Sequence, residues 1–233
     1  MSTTRRQFLD SLAVGAAGAA ALGAMPAALG ATPVARGVMP AEFGRDVAPG
    51  DWDTRWAERL TGKVRTVFDV PEIESGYGVW RASIWARQYE AVFGISAREL
   101  RTALVIRHNA IVLAMQQGFW DRYGIGKANN VIHPVSGAST DRNPALLGAA
   151  DGVSETQATF ALDRFLARGG IGLACDLALQ DMVALIEKTD GVPEATAKEQ
   201  ARNWLVPGMI LQPSGVFAVL HAQEKGALYI RAS

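Results

Sequence analysis

Cysteine is almost absent from these 233 residues: there is one, Cys175. A single thiol excludes any intrachain disulfide, so stability has to come from packing. Excess charge is absent too, with 23 Lys and Arg against 23 Asp and Glu. A surface built for nucleic acid needs a basic surplus, so no nucleic-acid partner is expected. The three histidines, His108, His133 and His221, lie far apart and give no metal-ligand spacing with the lone cysteine. Phosphate and nucleotide motifs are also missing. Gly124, Gly126 and Lys127 lack the upstream glycine and the following Ser or Thr of a P-loop, and the third glycine of a dinucleotide fingerprint. Pro213, Ser214 and Gly215 do not make a nucleophile elbow. No metal and no cofactor is therefore expected.

Long apolar runs are confined to the start of the chain. Arg5, Arg6, Phe8 and Leu9 precede a weakly apolar stretch rich in Ala and Gly, which gives way to Pro and small residues near Pro33. A basic start, an apolar centre and a small-residue exit make a secretory signal. The paired arginines followed by Phe-Leu resemble a twin-arginine (Tat) signal. Residues 1–31 are accordingly expected to be a signal peptide read by the Tat export machinery. Cleavage is expected between residues 28 and 35, and the mature protein in the bacterial periplasm or outside the cell. The mature chain has no stretch long enough to span a membrane.

Residues 32–62 read as an arm ending in a short helix that carries Trp52, Trp56 and Leu60 at four-residue spacing. From residue 63 onward strands and helices alternate. The β-branched run 64–70 is a first strand, apolar spacing predicts a helix over 79–93, and 102–106 is a second strand. A helix follows over 110–123. Residues 124–152 hold most of the irregular composition and read as a long loop inserted in the domain. A helix is predicted over 155–168, capped by Ser154. The strand ending at Cys175 and its helix to residue 188 come next, and Pro193 opens another helix. The chain closes with a strand over 209–211, a helix from Val216 capped by Ser214, and a strand over 228–230. Strands alternating with helices predict an α/β fold, a three-layer α/β/α sandwich around a mainly parallel five-stranded sheet, in one domain over 63–233.

In such a sheet all strand C-termini share one edge, where ligands bind. Asp69, Arg107, His108, Asn109, Cys175, Asp176, Gln212, Pro213 and Ser214 are predicted to lie along it. Cys175 stands where an apolar strand stops and an amphipathic helix starts, facing backbone N–H groups and the positive end of a helix dipole. That setting favours thiolate. Arg107 and His108 can add positive charge, whereas Asp176 beside the thiol opposes ionisation. The competing reading makes Cys175 a small buried hydrophobe.

Three stretches carry a family resemblance. They are the strand Ile171 to Cys175, the run from Leu205 through Pro207, Gly208 and Gln212 to Gly215, and the segment Val219 to Ile230 with Gln223 and Gly226 at Gln-x-x-Gly spacing. Residues 169–231 resemble the DsrE/DsrF-like sulfur-relay superfamily, and the whole chain looks like an exported branch of it. The resemblance implies the three-layer sheet, a homo-oligomer, and a sulfur-carrying role for Cys175, which would hold a persulfide received from a donor protein and passed to an acceptor. It also makes Gln223 a site candidate. The alternative is a module of the same fold that binds a small ligand or assembles with protein and performs no chemistry.

Overall fold

The computed structural model describes residues 52–233. The expected signal peptide and the arm as far as residue 51 lie outside the described residues. Five strands, β1 (Val64–Val70), β2 (Leu100–Ile106), β3 (Ile171–Cys175), β4 (Met209–Gln212) and β5 (Leu228–Arg231), form one sheet in the order β4-β3-β2-β1-β5. Every pairing is parallel, running from Val64 against Leu100 to Val70 against Ile106 in the longest ladder. The fold is the α/β class expected from the alternating pattern.

Among the described residues the helices are α1 (Tyr77–Phe93), α2 (Gln117–Tyr123), α3 (Ile125–Ala128), α4 (Glu155–Ala158), α5 (Leu162–Ala167), α6 (Asp176–Asp190), α7 (Glu194–Asn203) and α8 (Gly215–Glu224). The chain steps from β1 to β4 in one direction, then returns across the sheet to place β5 beside β1. A fixed crossover hand puts the helices of the two directions on opposite faces. The core divides accordingly. Phe68, Val70, Leu104 and Ile106 pack toward α1 and α6, with Trp85, Leu179 and Val183. Val67, Ala103, Val105, Ile171 and Leu173 pack toward α8, with Ala218, Ala222 and Trp56. Period-two alternation thus supplies both cores from the same strands.

Three expected elements differ. The helix expected over 110–123 is a 3-10 helix, His108–Ala114, followed by α2. Long-range backbone bonds interrupt it: Gln116 N–H donates to the Trp204 carbonyl (2.9 Å) and Val206 N–H to that of Ala114 (2.8 Å). The helix expected over 155–168 is split into α4 and α5, with Phe160 and Ala161 buried between them. Pro193 caps α7 from outside rather than opening it.

Residues 124–152, expected as a long loop, carry α3 and the 3-10 turns Pro144–Leu146 and Ala149–Asp151, and are held by polar contacts. Asn143 donates from Nδ2 to the carbonyls of Leu113 (3.1 Å) and Met115 (2.7 Å), and its Oδ1 accepts from Ala145 N–H (2.9 Å). Arg142 pairs with Asp151, and the Tyr77 hydroxyl donates to the Pro134 carbonyl. Leu147, Val153 and Phe160 then close over Trp80 as a small separate core.

Candidate functional site at the sheet's switch point

The loop after β3 leads to α6 on one face, and the loop after β4 leads to α8 on the other. β3 and β4 are neighbours, with Cys175 paired to Gln212 in register. Their diverging loops make this the topological switch point, where open α/β sheets leave a crevice beyond the strand ends. Cys175 is therefore at the fold's default binding position.

The thiol is nevertheless closed off. Cys175 is 5% exposed. It is the N-cap of α6, and its Sγ accepts from Ala178 N–H at 3.4 Å. Burial pushes the thiol pKa up; the N–H groups of Ala178, Gly215 and Leu177 pull against that shift, and the Asp176 charge reinforces it. Two helix N-termini thus converge on one sulfur, α6 through Leu177 and Ala178 and α8 through Gly215. Desolvation outweighs both, because a thiolate away from water loses more hydration than these dipoles return.

Arg107, at the end of β2, packs across the crevice. A Cβ added at Gly215 would meet Arg107 Cδ at 2.5 Å and Cβ at 2.6 Å, so the arginine stem lies directly on the first turn of α8. Its guanidinium is committed elsewhere. Nε donates to Asp69 Oδ1 (2.7 Å) and Nη2 to Oδ2 (2.9 Å), a bidentate fork. The hydrogen bonds to Asp69 push the Arg107 pKa up, against the opposing pull of burial. The Tyr229 hydroxyl completes the cluster by donating to Asp69 Oδ2 at 2.9 Å. Burial and this hydrogen bond push the tyrosine pKa up.

Ser214 is at this edge as the N-cap of α8, its Oγ accepting from Phe217 N–H at 3.0 Å. Asp176 opens α6 beside the thiol and takes a hydrogen bond from Gln180 Nε2. His108 and Asn109 follow Arg107 but turn toward another group. His108 adopts a left-handed backbone (φ 51°), and its Nδ1 lies 3.5 Å from Glu72 Oε1. Asn109 Nδ2 donates to Glu72 Oε2 at 3.0 Å. The structure therefore brings Arg107, Cys175, Asp176 and Ser214 together, with His108 and Asn109 on an adjoining patch. Gln223 is not brought to this edge. It lies exposed near the C-terminal end of α8, where its carbonyl accepts from Gly226 N–H, and Gly226 abuts Arg65 near the start of β1.

Tyr229 and Gly215 escape sequence reasoning. A tyrosine on a closing strand and a glycine after a capping serine carry no signal of their own; they matter through Asp69, Arg107 and Cys175, which lie far away in sequence. Gln212, expected on the rim, is instead fully buried, because its side-chain amide is taken up by Trp56 and the Asp53 carbonyl. Trp56 Nε1 donates to its Oε1 (3.0 Å), and its Nε2 donates to the Asp53 carbonyl (2.8 Å). Among the described residues, no group of three or more His, Cys, Asp or Glu is placed to hold a metal ion, and no helix is long and apolar enough to cross a membrane. In comparisons with protein-family models, curated proteins and solved structures, nothing matches this chain.

Proposed function

We propose that this chain is an exported α/β protein, resembling the DsrE/DsrF-like superfamily, that works as a ligand-binding or assembly module with Cys175 in a structural role. Residues 1–31 serve as its twin-arginine signal, 32–62 as an arm, and 63–233 as the working domain. The observation that carries the reading is the closed state of the thiol. Cys175 sits at the switch point, yet it is buried, its pKa is pushed up, and the Arg107 guanidinium beside the crevice is paired to Asp69. A module of this kind holds its ligand through the edge itself: the stem of Arg107, the caps of α6 and α8, and the adjoining His108–Glu72–Asn109 patch.

One observation favours a second reading, the sulfur carrier. N–H groups from two helices aim at Sγ, an arrangement that stabilises sulfur anions once they form. In that reaction the Cys175 thiolate attacks the outer sulfur of a persulfide donor and displaces the donor thiolate. An acceptor thiolate then attacks the terminal sulfur and regenerates Cys175. Alkylation of the folded protein near neutral pH separates the two. The module reading expects Cys175 to react far more slowly in the native chain than in denaturant. Native labelling as fast as that of the unfolded chain replaces it with the carrier.

A further inference from the structure

Trp80, Ser83, Ile84 and Arg87 recur at i, i+3, i+4 and i+7 and so share one face of α1. That face meets the corner where α4 gives way to α5: Trp80 and Ile84 pack with Ala158 and Phe160. Two guanidiniums are held there. Arg87 comes from α1. Its Nη2 donates to Thr159 Oγ1 (2.9 Å), and its Cζ stands 4.9 Å from the centroid of the Phe160 ring, which also packs on Trp80 (6.2 Å between centroids). Arg168 comes from the C-terminal cap of α5, and its Nη2 donates to Ser83 Oγ (3.4 Å), one helical turn from Arg87. Among the described residues neither arginine is ion-paired. By contrast, Arg81, Arg107, Arg122 and Arg142 each hold a carboxylate at 2.7–3.1 Å. The Asp163 charge supports Arg168, but its carboxylate is paired with Arg164 (3.4 Å). Desolvation, and after it the charge of Arg87, push the Arg168 pKa down, so the two cations repel each other across the seam.

The other polar groups of this face are donors too. Ser83 is 8% exposed, and its oxygen, having accepted from Arg168, keeps a proton to give. Trp80 is 5% exposed, and its indole N–H meets no acceptor among the described residues, although a buried indole N–H ordinarily finds one. We propose that the seam between α1 and the α4–α5 corner binds a tetrahedral oxyanion, phosphate or sulfate, through the forks of Arg87 and Arg168 and the Ser83 hydroxyl. An anion there replaces the repulsion of two cations by charge-assisted hydrogen bonds to both. Guanidiniums from two different elements, with a hydroxyl beside them, suit an anion with four oxygens better than a planar carboxylate, which one fork satisfies. Phe160 and Thr159 fix the Arg87 guanidinium in advance, so little of its ordering cost falls on binding. The seam is apart from the switch point: Arg168 stands just before the start of β3, and Cys175 is its last residue. The oxyanion site is thus additional to the edge described above and does not depend on whether Cys175 reacts.

The test is a series of thermal melts of the full chain in inorganic phosphate and, separately, in sulfate, with chloride exchanged to hold the ionic strength constant. A ligand that binds only the folded state raises Tm saturably, and the concentration dependence gives its dissociation constant. Wild type is compared with Arg87→Gln, Arg168→Gln and, as the control on the same helix, the ion-paired Arg164→Gln. A saturable rise with either anion, whose dissociation constant grows at least about tenfold in both Arg87→Gln and Arg168→Gln but not in Arg164→Gln, supports the proposal. A rise that chloride matches, or a constant that fails to separate those two variants from Arg164→Gln, overturns it, since the response then follows net charge alone. Should either variant fail to fold, Arg168→Lys keeps the charge, loses the fork and carries the same test, with a loss of at least about threefold expected and an unchanged constant overturning the site.

Discussion

Arg107 and Asp69 form a bidentate ion pair at the C-terminal edge of the sheet, and the carboxylate is only 3% exposed. The pair joins adjacent strands, and Tyr229 extends it to β5. Removing one partner leaves the other charge unpaired. Asp69→Ala is expected to cost about 3–5 kcal/mol, the range for breaking a buried pair from one side. Arg107→Ala should cost a similar amount, less whatever its partly exposed position lets water repay. The double variant should cost less than the sum of the two, since the residues share one interaction. Urea titrations of the three variants measure this directly.

Gly215→Ala reaches the same cluster from the other side. The added methyl meets the Arg107 stem at 2.5 Å, so either Arg107 or the first turn of α8 has to move. Overpacking of this kind costs roughly 1–3 kcal/mol. Because Gly215 N–H also pulls the thiol toward ionisation, displacing that turn should make Cys175 slower to alkylate in the folded variant. A drop in stability with unchanged labelling would separate Arg107 from the thiol.

The raised pKa of Cys175 links stability to alkaline pH. The folded state holds this proton more tightly than the unfolded chain, whose thiol ionises near ~8.5. Above that value the unfolded state binds fewer protons, so stability falls as pH rises toward the folded pKa and is unaffected below it. Cys175→Ala removes this contribution. The wild type should lose more stability than the variant between neutral pH and pH ~10, in melts compared at each pH.

Asn143 is a test of the insert. It is fully buried, and its side chain joins three backbone groups. Asn143→Asp replaces two donors by an acceptor facing two carbonyls, and Asn143→Leu leaves those carbonyls and one N–H unpaired. Each lost partner costs about 1–3 kcal/mol, so both variants should destabilise by several kcal/mol at most. Proteolysis should then begin within residues 124–152, because the Asn143 bonds tie that segment to Leu113 and Met115 and its buried apolar side chains are few, among them Ile125, Val131, Ala145 and Leu147.

The proposed twin-arginine signal makes export depend on the paired arginines Arg5 and Arg6. Arg5→Lys with Arg6→Lys keeps the charge and removes the pattern, so the protein should stay in the cytoplasm with its leader attached. Fractionation of expressing cells with and without a working Tat system is the measurement. Export of the doubled lysine variant through the general secretory route would refute the twin-arginine assignment.

Much of the architecture is legible before folding. Val64–Val70 alternates onto two cores and ends at a proline, and β1 has those bounds. Ser214 and Cys175 both stand where a helix begins, and each caps one. The legible features are local: strand periodicity, helix spacing and capping side chains act within a few residues. The residues from Ala110 to Met115 are the counter-example. Their apolar composition suits a helix, but every one is buried and the segment trades helix bonds for contacts with Trp204 and Val206.

By itself, the sequence determined the order of strands and helices, the parallel class of the sheet and the edge on which Cys175 ends, because each follows from neighbours along the chain. Only the tertiary structure decided that the thiol is buried, that Arg107 is bound to Asp69, that Tyr229 joins them, and that Gln223 lies away from this edge. Those outcomes depend on strand order and helix placement, which bring distant residues within hydrogen-bond reach. Solvent exposure, which sets the thiol's chemistry, exists only after the layers have packed.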